Sequence, residues 1–150
     1  MLLTVHAMSD HGARPEQAVE LLERVARGDL TLAALLGLSQ GHLVALAKVA
    51  ATSFAARRFE IAAKYFAALA ALDPTEPRHH LHLAEAEAAA GRAPLALAAL
   101  DRFLTHPMPG PRLERIRALE LRVILLAPTD RAQAATALAA ARALRAEAST

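Results

Sequence analysis

Apolar and polar positions alternate along the chain with the period of amphipathic helices. In residues 15–26, Ala18, Leu21, Leu22 and Val25 form an apolar stripe at three- and four-residue spacing, with Pro15 and Glu16 suited to a first turn and Gly28 to a stop. A short helix is expected over 30–36, capped by Asp29 and ended by Gly37, with Ser39 capping the helix that follows. The pattern then predicts helices over 43–56 and 59–72, the latter stopped by Asp73-Pro74, and over 78–90 and 94–105, separated by a turn at Gly91. Residues 106–111, His-Pro-Met-Pro-Gly-Pro, are too rich in proline for a helix and read as a stiff connector. Two further helices are expected, over 111–126 and 131–146, joined by a turn at 127–130. Residues 1–13 show no stable period and read as a flexible lead.

The same positions recur every 34 residues: alanine at 50, 84 and 118, alanine again at 62 and 96, and the pair Pro-Arg at 77–78 and 111–112. This is the tetratricopeptide period. The motif residues are Leu46, Val49, Ala50, Phe59, Ala62, Phe66 and Pro74 in one copy, and Leu83, Ala84, Gly91, Ala96, Leu100 and Phe103 in the next. Ala50 with Ala62, and Ala84 with Ala96, are expected where antiparallel helices cross, because only a methyl lets the axes approach closely. The turn at 127–130 falls later than the period requires, so the third hairpin is stretched. The fold class is therefore all-α: a single domain over 14–150 in which lead helices at 14–37 precede an array of about three tetratricopeptide-like hairpins, near 43–76, 77–110 and 111–147.

Composition narrows the function. Hydrophobic residues make up 55% of the chain but aromatics only 3%, and the apolar mass is mainly Ala and Leu, which favours helices over strands. The formal charge is +2 and the pI near 9.7. The arginines from Arg112 to Arg145 are interspersed with Glu114, Glu120 and Asp130, a solvated helical surface with neither a basic cluster nor stacking aromatics, so no nucleic-acid partner is expected. With no cysteine there is no disulfide or thiol chemistry. The start lacks the pattern of a secretory signal, and the apolar stretch 30–56 is broken by Ser39, Gln40, His42 and Lys48, so a soluble cytoplasmic protein without stable membrane insertion is expected.

Nothing in the sequence calls for catalysis or a cofactor. There is no phosphate-binding glycine loop and no nucleophile elbow, and His79, His80, His82, Glu85 and Glu87 lack a metal-binding spacing such as His-Glu-x-x-His. Stacked hairpins instead present the first helix of each repeat on a concave side suited to an extended peptide. The expected groove residues are Val44, Ala47, Ala51, Phe54, Arg78, Leu81, Glu85, Ala88, Arg112 and Arg115. For Phe54 the spacing fits groove and core equally, and Arg78 and Glu85 fit a solvated surface pair as well as a groove wall. The stripe of Ala18, Leu21, Leu22 and Val25 is a candidate homodimer surface.

Several segments together resemble a known family: GDLTLAAL at 28–35, LVAL at 43–46, FEIAAKYFAAL at 59–69 running into Leu72-Asp73-Pro74, the second copy from Pro77-Arg78 through Gly91, and the Pro111-Arg112 opening of the third. The chain resembles the class II chaperones of type III secretion translocators, the SycD/LcrH type. The resemblance implies a bacterial cytoplasmic chaperone that holds hydrophobic translocators before export. It further implies a concave groove taking a short extended client segment of the Pro-x-Leu-x-x-Pro kind, and dimerisation through N-terminal helices. Where the family commonly has aromatics this chain has Ala47 and Ala51, as well as His79 and His80; Glu85 replaces a small residue and Arg57 a glycine. These departures predict a wider, more polar groove. A general tetratricopeptide scaffold or regulatory adaptor is the alternative function.

Overall fold

The computed structural model describes residues 15–147, so the expected flexible lead at 1–13 lies outside the described residues. Among the described residues there are eight helices and no strand: α1 (Pro15–Arg27), α2 (Leu32–Leu35), α3 (Gln40–Ala55), α4 (Phe59–Leu72), α5 (Arg78–Ala89), α6 (Ala93–Leu104), α7 (Arg112–Leu126) and α8 (Arg131–Ala146).

Local chemistry sets the ends. Ser39 and His42 form a reciprocal capping box: Ser39 Oγ accepts from the His42 backbone N–H at 3.3 Å, and His42 Nδ1 accepts from the Ser39 backbone N–H at 3.0 Å. This box winds the first turn from Gln40, ahead of the apolar pattern that begins at Leu43. The short helix α2 is capped by Thr31 rather than by the expected Asp29; Thr31 Oγ1 accepts from the Ala34 N–H at 3.1 Å, while Asp29 pairs with Arg27 at 3.1 Å. Asp130 caps α8 by accepting from the Gln133 N–H at 2.9 Å. Pro77 and Pro111 open α5 and α7 without side-chain caps.

The turns inside the first two repeats each use a residue with positive φ. Gly91 takes it at 77° between α5 and α6, and Arg57, 34 residues earlier, takes it at 61° between α3 and α4. A side chain there crowds the backbone, at a cost of about 1–2 kcal/mol. The connector after α6 is held by His106, whose Nε2–H donates to the Pro74 carbonyl at 2.7 Å while its Nδ1 accepts from the Met108 N–H at 3.1 Å. These contacts tie the connector to the preceding inter-repeat turn.

The helices pair as α3 with α4, α5 with α6, and α7 with α8, and successive pairs stack through α4 on α5 and α6 on α7. Ala50, Ala62, Ala84, Ala96 and Ala118 are all 0% exposed, as expected of methyls at helix crossings. Two apolar clusters run through the array, one around Leu43, Phe66 and Leu69, the other around Leu81, Leu100 and Phe103. α5 serves both, giving Ala86 to the first and Leu81 and Ala84 to the second. α7 has 15 residues against 12 in α5, so α8 begins 38 residues after α6 instead of 34. The excess is about one helical turn, which keeps the same face inward.

Candidate functional site

One side of the array carries a trough in three lobes that share lining residues. The central lobe, about 500 Å³, is lined by Val44, Ala47, Lys48, Ala51, Phe54 and Ala55 of α3, Phe66 of α4, His82 and Glu85 of α5, and Arg117 of α7. Toward the start of α5 it opens into a lobe of about 240 Å³ that shares Val44, Ala47, Phe66 and His82 and adds Asp73, Glu76, Arg78 and His79. In the other direction a lobe of about 420 Å³ shares Phe54, Glu85 and Arg117 and adds Ala88, Ala89, Glu120, Leu121 and Ile124. α5 runs beneath all three, and its 12 residues span about 18 Å, the length of five or six extended residues.

The α3 wall follows from helical spacing: Val44, Ala47, Lys48, Ala51, Phe54 and Ala55 share one face, while Leu43 and Ala50 turn inward to the core. The small residues at 47 and 51 leave the central lobe open. Phe54 borders both the central and the third lobe and stands edge-on to Phe59, with ring centroids 5.2 Å apart.

The floor carries one polar chain. Glu85 is only 13% exposed at its side chain, and a carboxylate so placed is costly unless paired. Arg117 Nε lies 2.6 Å from its Oε1, an ion pair without hydrogen-bond geometry, and His82 Nδ1 lies 3.3 Å from its Oε2, while the His82 ring lies 5.3 Å from that of Phe66. Arg78 Nε bridges to Glu114 at 3.0 Å, joining α5 to α7 across the first lobe. His79 has its pKa lowered from 6.5, chiefly because burial disfavours its charged form, partly opposed by Asp73 and Glu76. The Lys48 ammonium, on the exposed α3 wall, has no partner among the described residues.

The structure gathers Val44, Ala47, Ala51, Phe54 and Glu85 in the central lobe, Arg78 in the first and Ala88 in the third. Leu81 is a correction: it is 0% exposed, inside the cluster with Ala99, Leu100 and Phe103 of α6 and Ala118 of α7. Because α5 is flanked by α4, α6 and α7, most of its circumference is inward, and apolarity alone did not distinguish its concave face. Arg112 and Arg115 are not among the residues lining these three lobes, whereas Arg117 is. Ile116 and Ala118 are the buried positions of this part of α7, and they fix the rotation that turns Arg117 toward Glu85. Lys48, Phe66 and His82 were also missed. Lys48 was legible, standing four residues after Val44 on the same face, whereas Phe66 belongs to a second helix and reaches the trough only through the gap left by the small α3 residues.

On α1, Leu21 and Val25 are half-buried, and Leu22 is 61% and Val19 56% exposed; the Ala18 side chain lies outside the described ones. No three His, Cys, Asp or Glu residues among the described ones are grouped to hold a metal ion, and no helix among them is long and apolar enough to cross a membrane.

No protein-family model and no curated protein matches the sequence. Solved structures do. A type III secretion system complex from Aeromonas hydrophila superposes with a TM-score of 0.74 over 85% of this chain and 83% of that one, at 24% identity, and shows the fold. SycD, the type III secretion translocator chaperone of Yersinia enterocolitica, superposes at 0.65 over 77% of this chain and 83% of its own, at 27% identity. PcrH, solved in complex with the chaperone-binding region of PopB, superposes at 0.63 over 74% and 86%, at 26% identity. These likenesses support the class II translocator chaperones of type III secretion as the family that the chain resembles. Its helical array is the tetratricopeptide-like array of SycD and PcrH, and those two relatives are chaperones rather than enzymes. The trough crosses α3, α4, α5 and α7, so its shape depends on all three hairpins being stacked.

Proposed function

We propose that this chaperone holds a hydrophobic translocator through an extended apolar segment laid along the trough, with Val44, Ala47, Ala51 and Phe54 on one side and Glu85, Ala88 and Arg117 on the other. The observation that carries this reading is the continuity of the three lobes over a mostly apolar floor. An extended chain needs pockets for alternate side chains and polar groups for its backbone, and the trough has both. Each apolar anchor removed from water adds about 1.5–3 kcal/mol. Covering that segment keeps the client from aggregating or inserting early into a membrane, and release accompanies export. The protein works in the bacterial cytoplasm, without catalysis or a cofactor, and the stripe of Leu21, Leu22 and Val25 on α1 is its homodimer surface.

Co-expression with a candidate translocator tests the reading. Wild-type chain should keep the client soluble and co-purify with it, whereas Ala51→Asp, which places a charge on the exposed trough wall, should lose the client with helicity unchanged by circular dichroism. Retained co-purification by that variant overturns the groove assignment.

A further inference from the structure

Charge is distributed unevenly along the trough. Its first lobe carries the carboxylates of Asp73 and Glu76, with Arg78 already paired to Glu114. The central lobe carries Lys48 and Arg117 against the single carboxylate of Glu85, and Arg117 forms an ion pair with that carboxylate at 2.6 Å whereas Lys48 forms none among the described residues. Lys48 is therefore the cation left over, at the rim of the most apolar part of the trough. We infer that the trough selects a client segment with a carboxylate beside the apolar residue in the central lobe, and that Lys48 is the residue that reads it. This inference rests on the trough being the client site.

Geometry and charge agree on where that carboxylate sits. Lys48 is four residues from both Val44 and Thr52 and three from Ala51, so its flexible stem overlies the α3 wall while its ammonium remains free to reach across. A side chain entering between Val44 and Ala51 places its neighbour in the extended segment, which points the opposite way, at the rim where Lys48 stands. The same carboxylate in the first lobe would face Asp73 and Glu76 and be repelled, so the charges also fix which part of the client occupies which lobe. Salt should weaken the selection, because the pair forms at an exposed rim.

The test uses the full-length chain and three fluorescein-labelled peptides of alanine, leucine and proline, identical except that the residue beside the central leucine is Glu, Gln or Lys. Fluorescence anisotropy should give tightest binding for the Glu peptide and weakest for the Lys peptide, with about two- to fivefold between Glu and Gln. The order should collapse in Lys48→Gln and reverse in Lys48→Glu, with circular dichroism unchanged in both. Equal binding of all three peptides to the wild type, or an order that survives Lys48→Gln, overturns the inference while leaving the trough as the client site. Failure of all three peptides to bind overturns both.

Discussion

Gly110 lies directly against the ring of Phe103: a methyl added to Gly110 would stand 2.7 Å from both Cε2 and Cζ. Phe103 is 1% exposed and cannot yield without disturbing the second apolar cluster. Gly110→Ala is therefore expected to destabilise the chain by about 1–3 kcal/mol, read as a lowered urea midpoint. Phe103→Leu should relieve part of that loss in the double variant, and full additivity of the two changes would rule out the contact as the cause.

Arg57 occupies at φ 61° the place that Gly91 fills at 77° one repeat later. Arg57→Gly should raise stability by about 0.5–1 kcal/mol, the relief of left-handed strain less the added freedom of the unfolded chain. Gly91→Ala should lower it by a similar amount. Thermal melts of the two variants should move in opposite directions.

Leu81 and Ala51 separate folding from binding. Leu81→Ala removes a fully buried side chain and is expected to cost about 2–5 kcal/mol. Ala51→Asp, on an exposed position, should leave the denaturation curve in place while abolishing co-purification of the client. If Ala51→Asp lowers the midpoint as much as Leu81→Ala does, the division between core and trough is wrong.

His79 and His80 both have pKa values below 6.5, in each case mainly because burial disfavours the charged form. For His80, the nearby Arg102 pushes in the same direction. The folded state thus binds fewer protons than the unfolded one as pH falls through 6.5, so their stabilising effect is complete above that value and is lost on acidification. Urea midpoints should fall between about pH 7.5 and 5.5, and fall less in the His79→Gln, His80→Gln double variant. A double variant with the wild-type slope would assign the pH dependence elsewhere.

Much of the array was legible in the sequence because its boundaries are chemical. α4 ends where Asp73-Pro74 stops the backbone ladder, and α8 begins where Asp130 caps it, so both helices have the expected limits. The start of α3 was less legible, since a Ser-His capping box can wind a turn that carries no apolar pattern. At the trough the α3 face was readable from spacing alone, because α3 borders solvent along one side. The contribution of α5 was not, since a helix flanked on several sides has apolar residues in more than one direction. Nor was Arg117, whose orientation is set by which of its neighbours on α7 are buried.

The alanines at the crossings have a consequence for how such a chaperone can diverge. On α3, Ala50 faces the partner helix while Lys48 and Ala51 border the trough on the exposed side, and Ala47 and Phe54 stand between, lining the trough and packing against the core cluster at once. A methyl at a crossing leaves almost nothing to trim, and any enlargement pushes two helices apart. The exposed wall positions 48 and 51 have no such constraint. Substitutions at 48 and 51 can therefore alter the trough while the scaffold stays fixed, whereas changes at 47 and 54 also touch the core.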